Sequence, residues 1–236
     1  MRPHVRSSSD PYVGLETQLT ELIGLVKIVP PLIEADRQRR WEEIGQRPGD
    51  ENSEMIDIYE EEAGPEEGYG FADYGHTVHV AAVVTAWEAF REYLIRKLYE
   101  TAFRYDLKKH PVLAKLVIEE RQQWSRRFDI LESRYRDFLS VQVTGLPSWK
   151  SVTHARHLRN ALVHNLGQYT QAYLNNKMAR RPTEEDLDGS VPTYADEELV
   201  DRKMIPLTAE FVQDVIRSLL RAAQEVHGAI AGADAS

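Results

Sequence analysis

The chain contains no cysteine among its 236 residues. Disulfide bonds, thiol nucleophiles and cysteine-ligated zinc are therefore excluded. It also lacks an apolar run of about eighteen residues, the length that a membrane-spanning helix needs. Residues 1–14 lack the apolar core of a secretory signal peptide. We therefore expect a cytoplasmic location and no membrane partner.

The chain has fewer basic than acidic residues, with 29 Lys and Arg against 38 Asp and Glu, so its formal net charge is -9. A net-acidic molecule repels nucleic acid as a whole, so binding it requires a local basic patch. Such a concentration exists at residues 154–168, HARHLRNALVHNLGQ, which hold three histidines and two arginines. That segment is where a function is expected.

Helical spacing of apolar residues predicts five helices, at 15–44, 76–103, 111–140, 146–176 and 207–230. Pro30 and Pro31 are expected to kink or break the first helix, since proline removes a backbone donor and its ring crowds the preceding turn. In the last helix, Thr208 is the expected N-cap, and Glu210 suits the positive end of the helix dipole.

Two segments lack helical spacing. Residues 45–75 are acidic and rich in glycine, which predicts a solvated loop; the carboxylates at 60–62 could bind a cation, but nothing fixes their geometry. Within 177–206, two short segments fit a small hairpin. We therefore predict a single all-α domain over 1–236. It is a bundle of about five helices with an acidic loop insertion and a small hairpin before the last helix.

The predicted helix at 146–176 separates its apolar and polar residues. Six side chains share an arc of about 80° and form the expected core face: Ala155, Leu158, Leu162, Leu166, Tyr169 and Tyr173. Arg156, His157, Asn160 and His164 lie on the far side. This pattern predicts that the histidines are not core residues. A surface helix face that is polar without a function remains the alternative.

Metal binding by these histidines is disfavoured by their spacing. His157 and His164 lie two turns apart, about 10 Å along the axis, which is too far to share one ion within a chain. His154 and His157 are three apart, but no acidic third ligand lies nearby in sequence. We expect no metal site and no cofactor.

The residues Arg159-Asn160-Ala161-Leu162-Val163-His164 resemble the signature of the HEPN superfamily. That signature is an arginine followed, after four to six residues, by a histidine, often with a polar residue directly after the arginine. The HNLG that begins at His164 and the segment AWEAFREYLIRKL at 86–98 are also similar to HEPN members. The resemblance covers about residues 76–230. It implies an all-helical fold with the motif on a late helix.

Two other Arg–His pairs have the same spacing: Arg104/His110 and Arg221/His227. Neither arginine is followed by a polar residue of the kind that the signature favours. One of these histidines precedes a proline and the other precedes a glycine near the end of the chain. The match at 159–164 is therefore the most specific of the three.

The HEPN resemblance implies RNA cleavage, because many members are metal-independent endoribonucleases of toxin–antitoxin and phage-defence systems. It implies His164 as the acid–base group, Arg159 as the phosphate clamp and Asn160 as a residue that orients either. It further implies a homodimer with the motif helices at its interface, and an antitoxin protein as a partner. On position alone, Arg156 and His157 are candidates for additional phosphate contacts.

Two questions stay open at this point. Glu88 either pairs with Arg91, three residues on along the same helix, or reaches the motif helix and positions Arg159. Other HEPN members keep the fold without activity, so the alternative function is a non-catalytic module that binds nucleotide or RNA or acts as a dimerisation scaffold. The presence of both Arg159 and His164 favours the nuclease.

Overall fold

A computed structural model describes residues 10–45, 74–104, 123–124, 127–165, 167, 170–176 and 205–233. Its helices are α1 Pro11–Gly45, α2 Tyr74–Arg104, α3 Phe128–Leu139, α4 Trp149–His164, α5 Gln171–Leu174 and α6 Ala209–Ala233, with a 3-10 turn at Val143–Gly145. The described ranges contain no strand, and the predicted all-α bundle is confirmed. The predicted acidic loop and hairpin fall almost wholly outside these ranges.

Helix α2 is the centre of the bundle and packs against α1, α3, α4 and α6. Four residues of its predicted apolar stripe, Val83, Trp87, Leu94 and Leu98, are at most 3% exposed. Further buried side chains of α2 lie outside that stripe: Ala82, Ala86, Phe90, Tyr93 and Ile95. The helix is therefore apolar around more than one face, as a helix enclosed by several neighbours must be.

Aromatic rings join α2 to α3 and α4. The Phe128 ring lies 5.0 Å from that of Trp87 and stacks on that of Trp149 at 6.0 Å between centroids. Phe90 reaches the same indole at 6.4 Å. Offset and tilted ring pairs of this kind contribute about 0.5–1.5 kcal/mol each beyond the area that they bury. This cluster sets how closely α3 and α4 approach α2.

Two buried tyrosines connect α2 to its neighbours through hydrogen bonds. The Tyr135 hydroxyl donates to the Leu94 carbonyl at 2.7 Å, and the Tyr93 hydroxyl donates to the Ala223 carbonyl at 3.2 Å. Burial raises the pKa of both phenols above the ordinary value, so both stay protonated as donors. A buried hydroxyl that lacked such an acceptor would destabilise the fold.

The first helix runs from Pro11 to Gly45 through Pro30 and Pro31, so of the two predicted outcomes, a kink or a break, the break is wrong. Beyond Val26, none of the α1 side chains that the structure describes is buried. No packed neighbour has to accommodate the proline rings there, and water can solvate the carbonyls that lose their donors.

The third predicted helix, at 111–140, is interrupted at Arg127. Residues 123 and 124 are helical, but Arg127 has an extended backbone, with φ -127° and ψ 101°, and α3 begins at Phe128. The predicted start, within residues 105–122, lies outside the described ranges. The helix ends where Ser140 adopts the left-handed conformation, with φ 55°, and donates its N–H to the Arg136 carbonyl. This local N–H bond satisfies a carbonyl that the ending helix would otherwise leave open.

The fourth predicted helix, at 146–176, is too long, because α4 ends at His164. The Ala161 carbonyl accepts the N–H groups of both Asn165 and Gly167 at 3.1 Å. Gly167 has φ 84°, a conformation that favours glycine, and its carbonyl accepts the Ile205 N–H at 2.8 Å. The chain therefore turns away, and His164 becomes the last residue of α4.

The N-terminus of α4 is held by a carboxylate from α6. The two oxygens of Glu225 accept the backbone N–H of Ser148 at 3.0 Å and its hydroxyl at 2.7 Å. A carboxylate at this end satisfies an open backbone donor and interacts favourably with the helix dipole. The contact fixes the start of α4 against α6.

The last helix begins as predicted. Thr208 precedes Ala209, the first residue of α6, and its hydroxyl oxygen accepts the Phe211 N–H at 3.2 Å. The expected N-cap is confirmed. Across the described helices, no stretch combines the length and apolarity that crossing a membrane requires.

Replacing Glu225 by alanine should lower the free energy of unfolding by about 1–3 kcal/mol, because two hydrogen bonds to a charged group are lost. Chemical denaturation followed by circular dichroism measures this change. Gln224→Ala, at an exposed neighbouring position on α6, is the matched control and should change stability little. Equal stabilities for the two variants would contradict a structural role for the Glu225 carboxylate.

Candidate functional site

The end of α4 meets α2 through the side chain of Arg159. One amino nitrogen, Nη2, donates to Glu88 Oε1 at 2.9 Å. The other, Nη1, lies 3.3 Å from His164 Nε2 and donates to Asn160 Oδ1 at 3.3 Å. The structure thus brings together the three predicted catalytic residues and Glu88. We call Arg159, Asn160, His164, Glu88 and the neighbouring Arg91 the motif cluster.

Glu88 contacts two arginines at once. Its Oε2 lies 2.5 Å from Arg91 Nη2, while Oε1 accepts from Arg159. Glu88 therefore makes both contacts that the sequence left open, one with Arg91 on its own helix and one with Arg159 on the motif helix. Arg91 lies on the same helix as Glu88, three residues further along the chain.

The motif cluster carries an excess of positive charge. Two guanidiniums face one carboxylate, and the side chains of Arg91 and Glu88 are 31% and 33% exposed. Arg159 is more enclosed, at 19% exposed. In a chain of net charge -9, this is a local basic region of the kind that an anion needs.

His164 itself is exposed to solvent at the end of α4. The preceding residue, Val163, is also exposed, at 41%. Around the helix axis, His164 lies about 140° from Arg159, and the long arginine side chain spans that angle to reach the imidazole. A ligand bound at the surface can therefore reach the His164 imidazole.

The prediction that the histidines lie outside the core is wrong for His154. Its side chain is only 5% exposed, and its ring lies 5.5 Å from that of Tyr173 and 6.0 Å from that of Phe211. The sequence pattern predicted a single apolar face on this helix, whereas α4 packs against both α2 and α6. Burial, and secondarily His157, lowers the pKa of His154 to about 4.

Arg156 and His157, the candidates for additional phosphate contacts, point to other neighbours. The Arg156 guanidinium lies over the Phe128 ring, 5.4 Å from its centroid, in a cation–π contact. His157 is half-buried, and burial followed by the charge of Arg156 lowers its pKa. Among the described contacts, none joins either residue to Arg159. Their phosphate role stays a prediction.

The remaining candidates from the sequence lie elsewhere. His227 is half-buried and its ring lies 5.1 Å from that of Tyr12, while His110 is outside the described ranges. Within those ranges, no three histidine, aspartate or glutamate side chains are grouped so as to hold a metal ion.

Comparisons with protein-family models, with curated proteins and with solved structures found no match to this chain.

Replacing His154 by phenylalanine should remove part of the acid sensitivity of the fold. Above pH 6.5 the imidazole is neutral in both folded and unfolded chains. Below pH 6.5 the His154 imidazole becomes protonated in the unfolded chain but stays neutral in the folded chain. The free energy of unfolding therefore falls until about pH 4. The lowering of the His154 pKa corresponds to about 3 kcal/mol of unfolding free energy.

The measurement is the free energy of unfolding of both proteins between pH 7 and pH 4. The difference between wild type and His154→Phe should change across that window. Parallel pH profiles for the two proteins would show that His154 does not titrate differently in the folded chain.

Proposed function

We propose that this chain is a HEPN-like, metal-independent endoribonuclease that cleaves RNA by attack of its own 2′-OH and leaves a 2′,3′-cyclic phosphate. The observation that carries the proposal is the contact between Arg159 and His164, the two residues of the motif, at 3.3 Å. They lie in an exposed cluster of net positive charge, where a phosphodiester could bind.

The two residues suit this chemistry because RNA carries its own nucleophile. His164 would take the proton of the 2′-OH or protonate the leaving 5′-oxygen, since an imidazole titrates near neutral pH. Arg159 would hold the scissile phosphate and stabilise its developing charge through parallel hydrogen bonds. No metal is needed for either step.

Glu88 and Asn160 act as positioning residues in this proposal. Glu88 accepts one N–H of Arg159 Nη2 at 2.9 Å, and Nη1 lies 3.3 Å from both Asn160 Oδ1 and His164 Nε2. A phosphate would bind the second N–H of Nη2 or replace a contact of Nη1. Asn160 accepts a hydrogen bond from the same guanidinium. An arginine that is held in place loses less side-chain entropy when it binds its ligand.

The cellular role that the HEPN resemblance favours is a prokaryotic toxin or phage-defence effector. Such a protein acts on cytoplasmic RNA and is restrained by an antitoxin protein. The alternative, a non-catalytic HEPN module that binds RNA or nucleotide, uses the same cluster. Cleavage assays separate the two functions.

A homodimer with the α4 helices at its interface would complete the site. In one chain His164 is open to water, which screens its electrostatic partners. Exposed Val163 beside it offers an apolar contact for a second copy. Two-fold symmetry would bring two motif clusters into one cleft and double its positive charge.

His164→Ala should reduce RNA cleavage by about 10²–10⁴-fold while leaving the melting temperature nearly unchanged, because the side chain is exposed. The assay uses total RNA with EDTA and inspects the cleavage ends for a 2′,3′-cyclic phosphate. His76→Ala is the control, since His76 lies about 18 Å from Glu88 along α2. Wild-type cleavage by His164→Ala, or strict dependence on a divalent metal, would refute the proposed chemistry.

Val163→Asp should reduce both the dimer fraction and RNA cleavage, because it places a charge on the proposed two-fold contact. Sedimentation at micromolar concentration measures the first effect and the cleavage assay the second. Circular dichroism should show an intact helical fold. A variant that is monomeric yet fully active would exclude a site that needs two chains.

A further inference from the structure

We propose that Arg91 is a second phosphate-binding side chain of the motif cluster, so that one RNA phosphate group bridges the guanidiniums of Arg91 and Arg159. This inference rests on the proposed function and deepens it. It adds to the site a residue on α2, the helix that does not carry the motif.

Glu88 contacts both guanidiniums. Its two oxygens engage them separately, Arg91 Nη2 at 2.5 Å and Arg159 Nη2 at 2.9 Å. Because both oxygens belong to one carboxylate, the two guanidiniums are kept near each other. Two neighbouring guanidiniums of this kind can donate to the oxygens of one phosphate group.

Arg91 keeps hydrogen-bond donors that Glu88 does not use. A guanidinium carries five N–H donors, and Glu88 Oε2 contacts Arg91 through Nη2. The Arg91 side chain is 31% exposed, so a ligand on the surface can reach its other donors. Glu88 can therefore keep its place while a phosphate binds.

The charge of the cluster also favours an anionic ligand. Arg159 pairs with one oxygen of Glu88 at 2.9 Å and Arg91 pairs with the other at 2.5 Å, so two positive charges face one negative charge. A bound phosphate would balance the excess.

Other arginines fit the role less well. Arg156 is directed over the Phe128 ring and away from Arg159. Arg96, on the same helix as Arg91, donates to Glu100 at 2.9 Å in a simple surface pair. Arg91 differs from both because its carboxylate partner is shared with the motif helix.

The test measures RNA binding in full-length His164→Ala protein, which should bind without cleaving. The probe is a short fluorescein-labelled single-stranded RNA of mixed sequence, titrated by fluorescence anisotropy at several salt concentrations. Adding Arg91→Ala should weaken binding about tenfold and reduce the slope of log affinity against log salt by about 0.7. Adding Arg96→Ala, the matched control, should change neither quantity.

Arg91→Lys keeps the charge without the planar fork and should retain the salt slope while losing part of the affinity. Melting curves of all variants verify that they fold. If Arg91→Ala and Arg96→Ala behave alike while wild type cleaves RNA, the inference is wrong and the proposed function stands. A loss of cleavage without a change in affinity or salt slope would make Arg91 a structural residue only. If wild type neither binds nor cleaves RNA, the proposed function fails and the inference fails with it.

Discussion

The burial of α2 determines where the other helices lie, because α2 packs against four of them and has little fully solvated surface. A charged side chain on such a helix must find a partner, since an isolated carboxylate away from water is strongly disfavoured. Glu88, at 33% exposed, contacts two arginines. One of them belongs to α4, so this ion pair adds to the apolar packing that turns one face of α4 toward α2.

Helix α4 is held near both ends by carboxylates from different neighbours. Glu225 of α6 binds the backbone N–H and hydroxyl of Ser148, and Glu88 of α2 binds Arg159. The first contact limits how α4 can slide along its axis, and the second limits its rotation. Together they place His164 at a defined point, because the turn through Gly167 ends the helix there. A site on a helix fixed in this way keeps its geometry better than a site on a loop.

Local patterns in the sequence were enough to predict α2, α6 and the Thr208 cap, since each depends on residues within a few positions. The end of α4 at His164 was also signalled locally, by Asn165 and Gly167, which favour helix termination. The burial of His154 was not predictable in that way, because it depends on Phe211, 57 positions further on along the chain. The contact between Glu88 and Arg159 likewise depends on which helix faces meet. The HEPN assignment, the RNA substrate and the dimer remain predictions.

The position of Glu88 between two arginines explains how two positive charges can lie near each other in the motif cluster. Without the carboxylate, two neighbouring guanidiniums would repel each other. With the carboxylate present, each guanidinium is attracted to one of its oxygens, and the pair can stand side by side before any ligand arrives. The same carboxylate that removes one unit of charge from the cluster therefore keeps the two guanidiniums near each other. A net-acidic protein can in this way present a small basic region without a large basic surface.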